Sequence, residues 1–188
     1  WIAQREGRAK DGVDVTNPAI ISMLSLHKPK DLDLATYIAN LRIVPVSISY
    51  EFDPCDVSKA KELFRAEQQG NYDKPDNEDM RSIINGITGQ KGHVHVHFGT
   101  LVGAQFESAK EVAAFIDQQI LDGYRTFPTA DAALSMLSSE TEKGDEGINL
   151  SVNKKAIDYL ESRLKELNHE EQQKLLKMYA NPLIRRQR

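Results

Sequence analysis

Leu41 to Tyr50 reads Leu-Arg-Ile-Val-Pro-Val-Ser-Ile-Ser-Tyr, and its β-branched and apolar content predicts a strand buried on at least one face. Pro45 has no N–H to give to a ladder, so this strand lies at a sheet edge or bulges at that point. A second strand is predicted over Gly92 to Phe98, where His93, His95 and His97 alternate with Val94, Val96 and Phe98. The first residues, Trp1 to Gln4, are also short, apolar-leaning and β-compatible. The abrupt start at Trp1, inside what reads as a strand, predicts an upstream portion that carries the first strands.

Helical signals fill the intervals. Thr16 or Asn17 caps a helix with Pro18 at its first position. Further helices are predicted over Asp33 to Ala39, Asp56 to Gln69 with Asp56 as cap, Asn77 to Thr88, Ser108 to Leu121, and from Thr129 or Asp131 to Leu137. Ser138 to Gly147 is polar and reads as a loop. Beyond it Ile157, Leu160, Leu164 and Leu167 recur at three- and four-residue steps, and Leu175, Leu176 and Tyr179 continue after a break near Asn168. The pattern predicts an α/β fold with a central sheet flanked by helices, incomplete at its N-terminal side. Residues 1–150 form the α/β domain and 151–188 a C-terminal helical extension packed on it.

Composition narrows the function classes. The 188 residues are 40% hydrophobic and 28% charged, as in ordinary globular proteins. A net charge of -4 argues against an electrostatic footprint on nucleic acid. The single Cys55 makes no intrachain disulfide and is expected to be inert, which suits a reducing cytoplasm or the cytoplasmic face of a membrane. No apolar run reaches the roughly 18 to 20 residues that span a bilayer, so any membrane contact is peripheral. Arg185, Arg186 and Arg188 close the chain as a solvated tail or as an anchor on an anionic surface.

The opening loop, Arg5-Glu6-Gly7-Arg8-Ala9-Lys10-Asp11-Gly12, is the strongest candidate site. Two glycines allow close approach of backbone to a ligand, and guanidinium groups bind phosphate in a bidentate manner. The competing reading is a solvated turn whose charges face water.

This loop resembles a block of the glycerolipid acyltransferases, the lysophosphatidate and glycerol-3-phosphate acyltransferase family, in which Glu-Gly-Thr-Arg-Ser ends a strand. Glu6-Gly7-Arg8-Ala9 lacks one residue between Gly and Arg, and the whole string from Trp1 to Gly12 is similar to a bacterial branch of the family. Ile43-Val44-Pro45-Val46-Ser47-Ile48-Ser49-Tyr50-Glu51 resembles the proline-containing apolar block that follows. Gly92 to Gly99 resembles the late strand ending in Phe-Gly, and Tyr179-Ala180-Asn181-Pro182-Leu183 in the helical tail is also similar.

The resemblance implies transfer of a fatty acyl group from an acyl thioester, coenzyme A or acyl carrier protein, to the hydroxyl of a glycerol phosphate or lysophospholipid. No further cofactor is implied. Arg8, with Arg5 and Lys10 beside it, would hold the acceptor phosphate, while Glu6 and Gly7 would shape the loop. The family's general base is a histidine with an aspartate five positions later, and none of the five histidines here fits that pattern. His27 comes nearest, with Asp31 four positions on. The resemblance therefore implies an enzyme whose catalytic residues lie outside this chain, and the chain alone is expected to be inactive.

His93, His95 and His97 share a strand face and raise the question of a metal. Same-face neighbours stand about 7 Å apart along a strand, whereas zinc needs nitrogens converging at about 2.0 to 2.1 Å. A polar strand face is the better reading, and no metal site is assigned. The rival to the enzyme is a non-catalytic α/β binding module, in which the opening loop is a surface turn and the helical tail a partner surface.

Overall fold

The computed structural model describes residues 1–5, 9–69, 77–141 and 154–186. Helices dominate. They are α1 (Pro18–Leu24), α2 (Leu34–Asn40), α3 (Asp56–Gln69), α4 (Glu78–Thr88), α5 (Ala109–Gly123), α6 (Pro128–Thr141), α7 (Lys154–Leu164) and α8 (His169–Arg186), with a 3-10 turn at Ser25–His27. Two strands, β1 (Val46–Tyr50) and β2 (Val94–Phe98), pair as the single sheet among the described residues. Glu51 N–H donates to the His93 carbonyl and Gly99 N–H to the Pro45 carbonyl, so the pair is antiparallel and in one register from end to end.

Helix and strand are thus both present, but the sheet is a two-stranded ribbon among the described residues, where the sequence predicts a wider central sheet. Trp1 to Gln4 do not form a strand. The Gln4 carbonyl instead accepts from Asn17 N–H at 2.8 Å, which ties the segment to the cap of α1. β1 begins directly after Pro45, so the strand predicted from Leu41 is shorter at its start than the sequence suggests.

The chain divides into two compact units that exchange segments several times. The first comprises residues 1–9, 14–49 and 95–125. Its core joins Ile21 of α1, Ile38 of α2, Val102, and Val112 and Ile116 of α5. Local chemistry places these helices. Asn17 caps α1 by accepting from Ala19 N–H, Asp33 caps α2 through Thr36 N–H, and Ser108 caps α5 through Glu111 N–H.

The second unit comprises residues 10–13, 50–94 and 126–188. Its core brings together Val57 and Ala60 of α3, Ala132 and Ala133 of α6, Leu160 of α7, and Leu175, Leu176 and Tyr179 of α8. Asn168 and Glu171 form a reciprocal cap at the start of α8, at the break between the two tail helices. Helix α4 is oriented against its own amphipathic pattern. Its small-residue side meets Cys55, whose Sγ donates to the Ser82 carbonyl at 3.4 Å. Met80, Ile83, Ile84 and Ile87, one stripe at helical spacing, are all at least half exposed. Cys55 itself is buried.

Candidate functional site

The opening loop is divided between the units. Arg5 belongs to the first and Lys10 to the second. Glu6, Gly7 and Arg8 lie outside the described residues.

Lys10 is committed to structure. Its ammonium pairs with Glu62 of α3. Beside it the Asp11 carbonyl accepts from Asn181 Nδ2 at 2.7 Å, and Gly12 lies against the Met178 carbonyl on α8. Pro182 explains that approach, because it has no N–H to give the carbonyl four residues earlier, leaving Met178 without its helical donor. Gly12 adopts φ of 74°, a left-handed conformation that a side chain disfavours. Gly12 lets the backbone approach a helix, and the Lys10 ammonium pairs with Glu62.

Arg5 lines a cavity of about 610 Å3 within the first unit. That volume falls in the range of about 300 to 1,000 Å3 typical of ligand sites. Ile20, Ile21 and Leu24 of α1, Ile43 before β1, and Ile116 and Ile120 of α5 form its apolar walls, and Trp1 and Ile2 stand at its edge. Gln4, Arg5, Asp14 and Thr16 supply polar groups. Arg5 and Thr16 also line a second cavity of about 480 Å3, together with Val15, Asn17 and Pro18.

Thr16 is held firmly between the two. Its N–H and its hydroxyl both donate to Asp117 Oδ1 of α5, at 2.7 and 2.6 Å. Gln4 is pinned through its carbonyl, yet its side-chain Nε2 is buried without a hydrogen-bond partner. A buried donor left unmade costs about 1 to 3 kcal/mol. Neither Thr16 nor Gln4 was among the sequence candidates. For Thr16 the signal is its pairing with Asp117, 101 residues on, which no local motif encodes.

The histidines do not converge on a metal. His93 Nδ1 lies 2.6 Å from Glu51 Oε2, and the His93 N–H donates to the same oxygen at 2.9 Å. Burial of Glu51 works to raise its pKa, but the two His93 hydrogen bonds and the nearby Lys155 ammonium outweigh it and leave the carboxyl below its usual range. His95 and His97 stack with ring centroids 6.4 Å apart. Among the described residues no group of three His, Cys, Asp or Glu side chains is placed to hold a metal ion. The apolar alternates Val94, Val96 and Phe98 are exposed too, so β2 shows side chains of both characters to solvent. Among the described residues no helix is long and apolar enough to cross a membrane.

Comparison with known protein families, curated proteins and solved structures found no match in any of the three.

Proposed function

We propose that this chain is part of an acyltransferase that moves a fatty acyl group from an acyl thioester, on coenzyme A or acyl carrier protein, to the hydroxyl of a glycerol phosphate or lysophospholipid. The observation that carries the reading is the position of Arg5, which with Thr16 lines both an apolar cavity and a second cavity beside it. An acyl-glycerol phosphate needs that combination, since guanidinium hydrogen-bonds phosphate and the chain needs an apolar wall. The ordered resemblance of three segments to glycerolipid acyltransferases supports the same substrate class. Arg8, Glu6 and Gly7 complete the acceptor loop on this reading, while the general base comes from outside the chain. On this reading the β1 and β2 pair belongs to a larger central sheet. The protein acts on the cytoplasmic side, in peripheral contact with a bilayer.

A non-catalytic binding module is the second reading, favoured by the exposed stripe on α4. Calorimetric titration with glycerol 3-phosphate separates the two. Binding that weakens about tenfold or more in Arg5→Ala is expected for the acceptor site, in line with roughly 1.5 to 3 kcal/mol for a hydrogen bond to a charged group. Heat that is absent, or identical in wild type and variant, would leave the binding module as the better account.

A further inference from the structure

The outer side of β2 is an open edge. The Glu51 to His93 and Gly99 to Pro45 hydrogen bonds turn the backbone of the odd-numbered residues toward β1, so the N–H and C=O of Val94, Val96 and Phe98 point away from it. Among the described residues no other strand takes them. The side chains are open as well, with Val94 49%, Val96 46% and Phe98 68% exposed. Edge strands are ordinarily guarded by a charge, a proline or a bulge. Pro45 guards the start of β1, but Val94-His95-Val96-His97-Phe98 holds no proline and no Asp, Glu, Lys or Arg. The stretch is also its own complement. Run antiparallel to itself about Val96, it sets Val94 against Phe98 of a second copy, His95 against His97 and Val96 against Val96. Apolar groups meet on one face, imidazoles meet on the other, and each outward N–H meets an outward C=O. A slip by one residue would set histidine against valine, so the register is specified. We propose that β2 pairs antiparallel with β2 of a second copy across a two-fold axis at Val96, joining the two ribbons into one sheet. The pairing closes on itself, because it consumes both open edges. It buries a few hundred Å2 per copy, short of the roughly 800 Å2 of a standard interface, so the dimer is a weak one with a dissociation constant of about 10 to 100 μM. The inference goes beyond the acyl-transfer reading and does not depend on it.

Sedimentation equilibrium from about 5 to 500 μM chain tests it, a range chosen to bracket that constant. The wild-type chain should pass from monomer to dimer and no further. Val96→Lys and Val96→Glu each bring like charges together at the axis and should weaken the dimer about tenfold or more. Phe98→Lys, at the most exposed of the three positions, should weaken it by a similar factor. Circular dichroism checks that each variant stays folded. An equal mixture of Val96→Lys and Val96→Glu should associate more tightly than either variant alone, because opposite charges then meet at the axis. Ile84→Lys, on the exposed stripe of α4, should leave the dimer unchanged. A wild-type chain that stays monomeric throughout the range overturns the inference. So does a dimer that survives the β2 variants, one lost in Ile84→Lys, or a mixture that associates no better than its components.

Discussion

Asp56→Ala is expected to cost the second unit about 3 to 5 kcal/mol, the range for removing one member of a buried charged network. The Asp56 side chain is fully buried at the first turn of α3. Its Oδ1 accepts from Arg163 Nε at 2.8 Å and from Arg163 Nη2 at 2.5 Å, and its Oδ2 accepts from the hydroxyls of Tyr159 at 2.8 Å and Tyr179 at 3.0 Å. Three side chains on α7 and α8 thus meet one carboxylate on α3. Burial and then the Asp56 charge push both tyrosine hydroxyls above their usual range, so both remain protonated donors. For Arg163, burial disfavours the charge, but the Asp56 hydrogen bonds outweigh it and raise its pKa. Alanine would leave that guanidinium with Glu166 and would remove the carboxylate that accepts from both tyrosine hydroxyls. Urea unfolding followed by circular dichroism should show a lower midpoint, with Tyr159→Phe costing about 1 kcal/mol by comparison. A loss under about 1 kcal/mol for Asp56→Ala would mean that this network does not hold α3 to the tail helices.

The second large effect is expected at Gly12. A Cβ there would overlap the Met178 carbonyl oxygen, which is helix backbone and cannot rotate away, and would touch Pro182. The left-handed backbone alone costs about 1 to 2 kcal/mol for a residue with a side chain, and overpacking adds about 1 to 3 kcal/mol. Gly12→Ala should therefore destabilise the second unit by roughly 2 to 5 kcal/mol. It should also release residues 10–13 from α8. Amide hydrogen exchange at Val13 and along the last turns of α8 should rise, with the Lys10 to Glu62 pair weakened. An unchanged melting temperature would show that the loop does not pack on α8.

Both effects arise where local reading of the chain stopped short. The caps were legible: Asn17 before Pro18, Asp33 and Ser108 each carry a side chain that satisfies an exposed helix N–H by itself. The bounds of α3 followed from equally local chemistry, whereas the strand predicted from Leu41 begins only at Val46. Asp56 also reads as a cap, but it is the first residue of α3, and its carboxylate accepts from Val57 N–H. Its larger role depends on Tyr159, Arg163 and Tyr179, more than a hundred residues away. The helix α6 continues to Thr141, past the predicted end at Leu137, and within it the Ser138 hydroxyl donates to the Leu134 carbonyl.

The opening loop shows the same division. Its charges and glycines were read as one site because they are adjacent in sequence. In the second unit Lys10 pairs with Glu62 and Gly12 lies against α8, and in the first unit Arg5 lines the cavity bordered by α1 and α5. Gln4 and Thr16 carry no motif. Their importance comes from a buried unpaired nitrogen and from two bonds to Asp117.

The central claim is that Arg5 reads a phosphate carried on a chain that occupies the adjoining cavity. The most direct test is the ratio of two dissociation constants, for a monoacylglycerol and for the lysophosphatidate bearing the same chain, measured by Trp1 emission in wild type and in Arg5→Ala. The wild-type protein should prefer the phosphate ester by about tenfold or more, and Arg5→Ala should lose that preference while binding the monoacylglycerol as before. An equal ratio in the two proteins would contradict the claim.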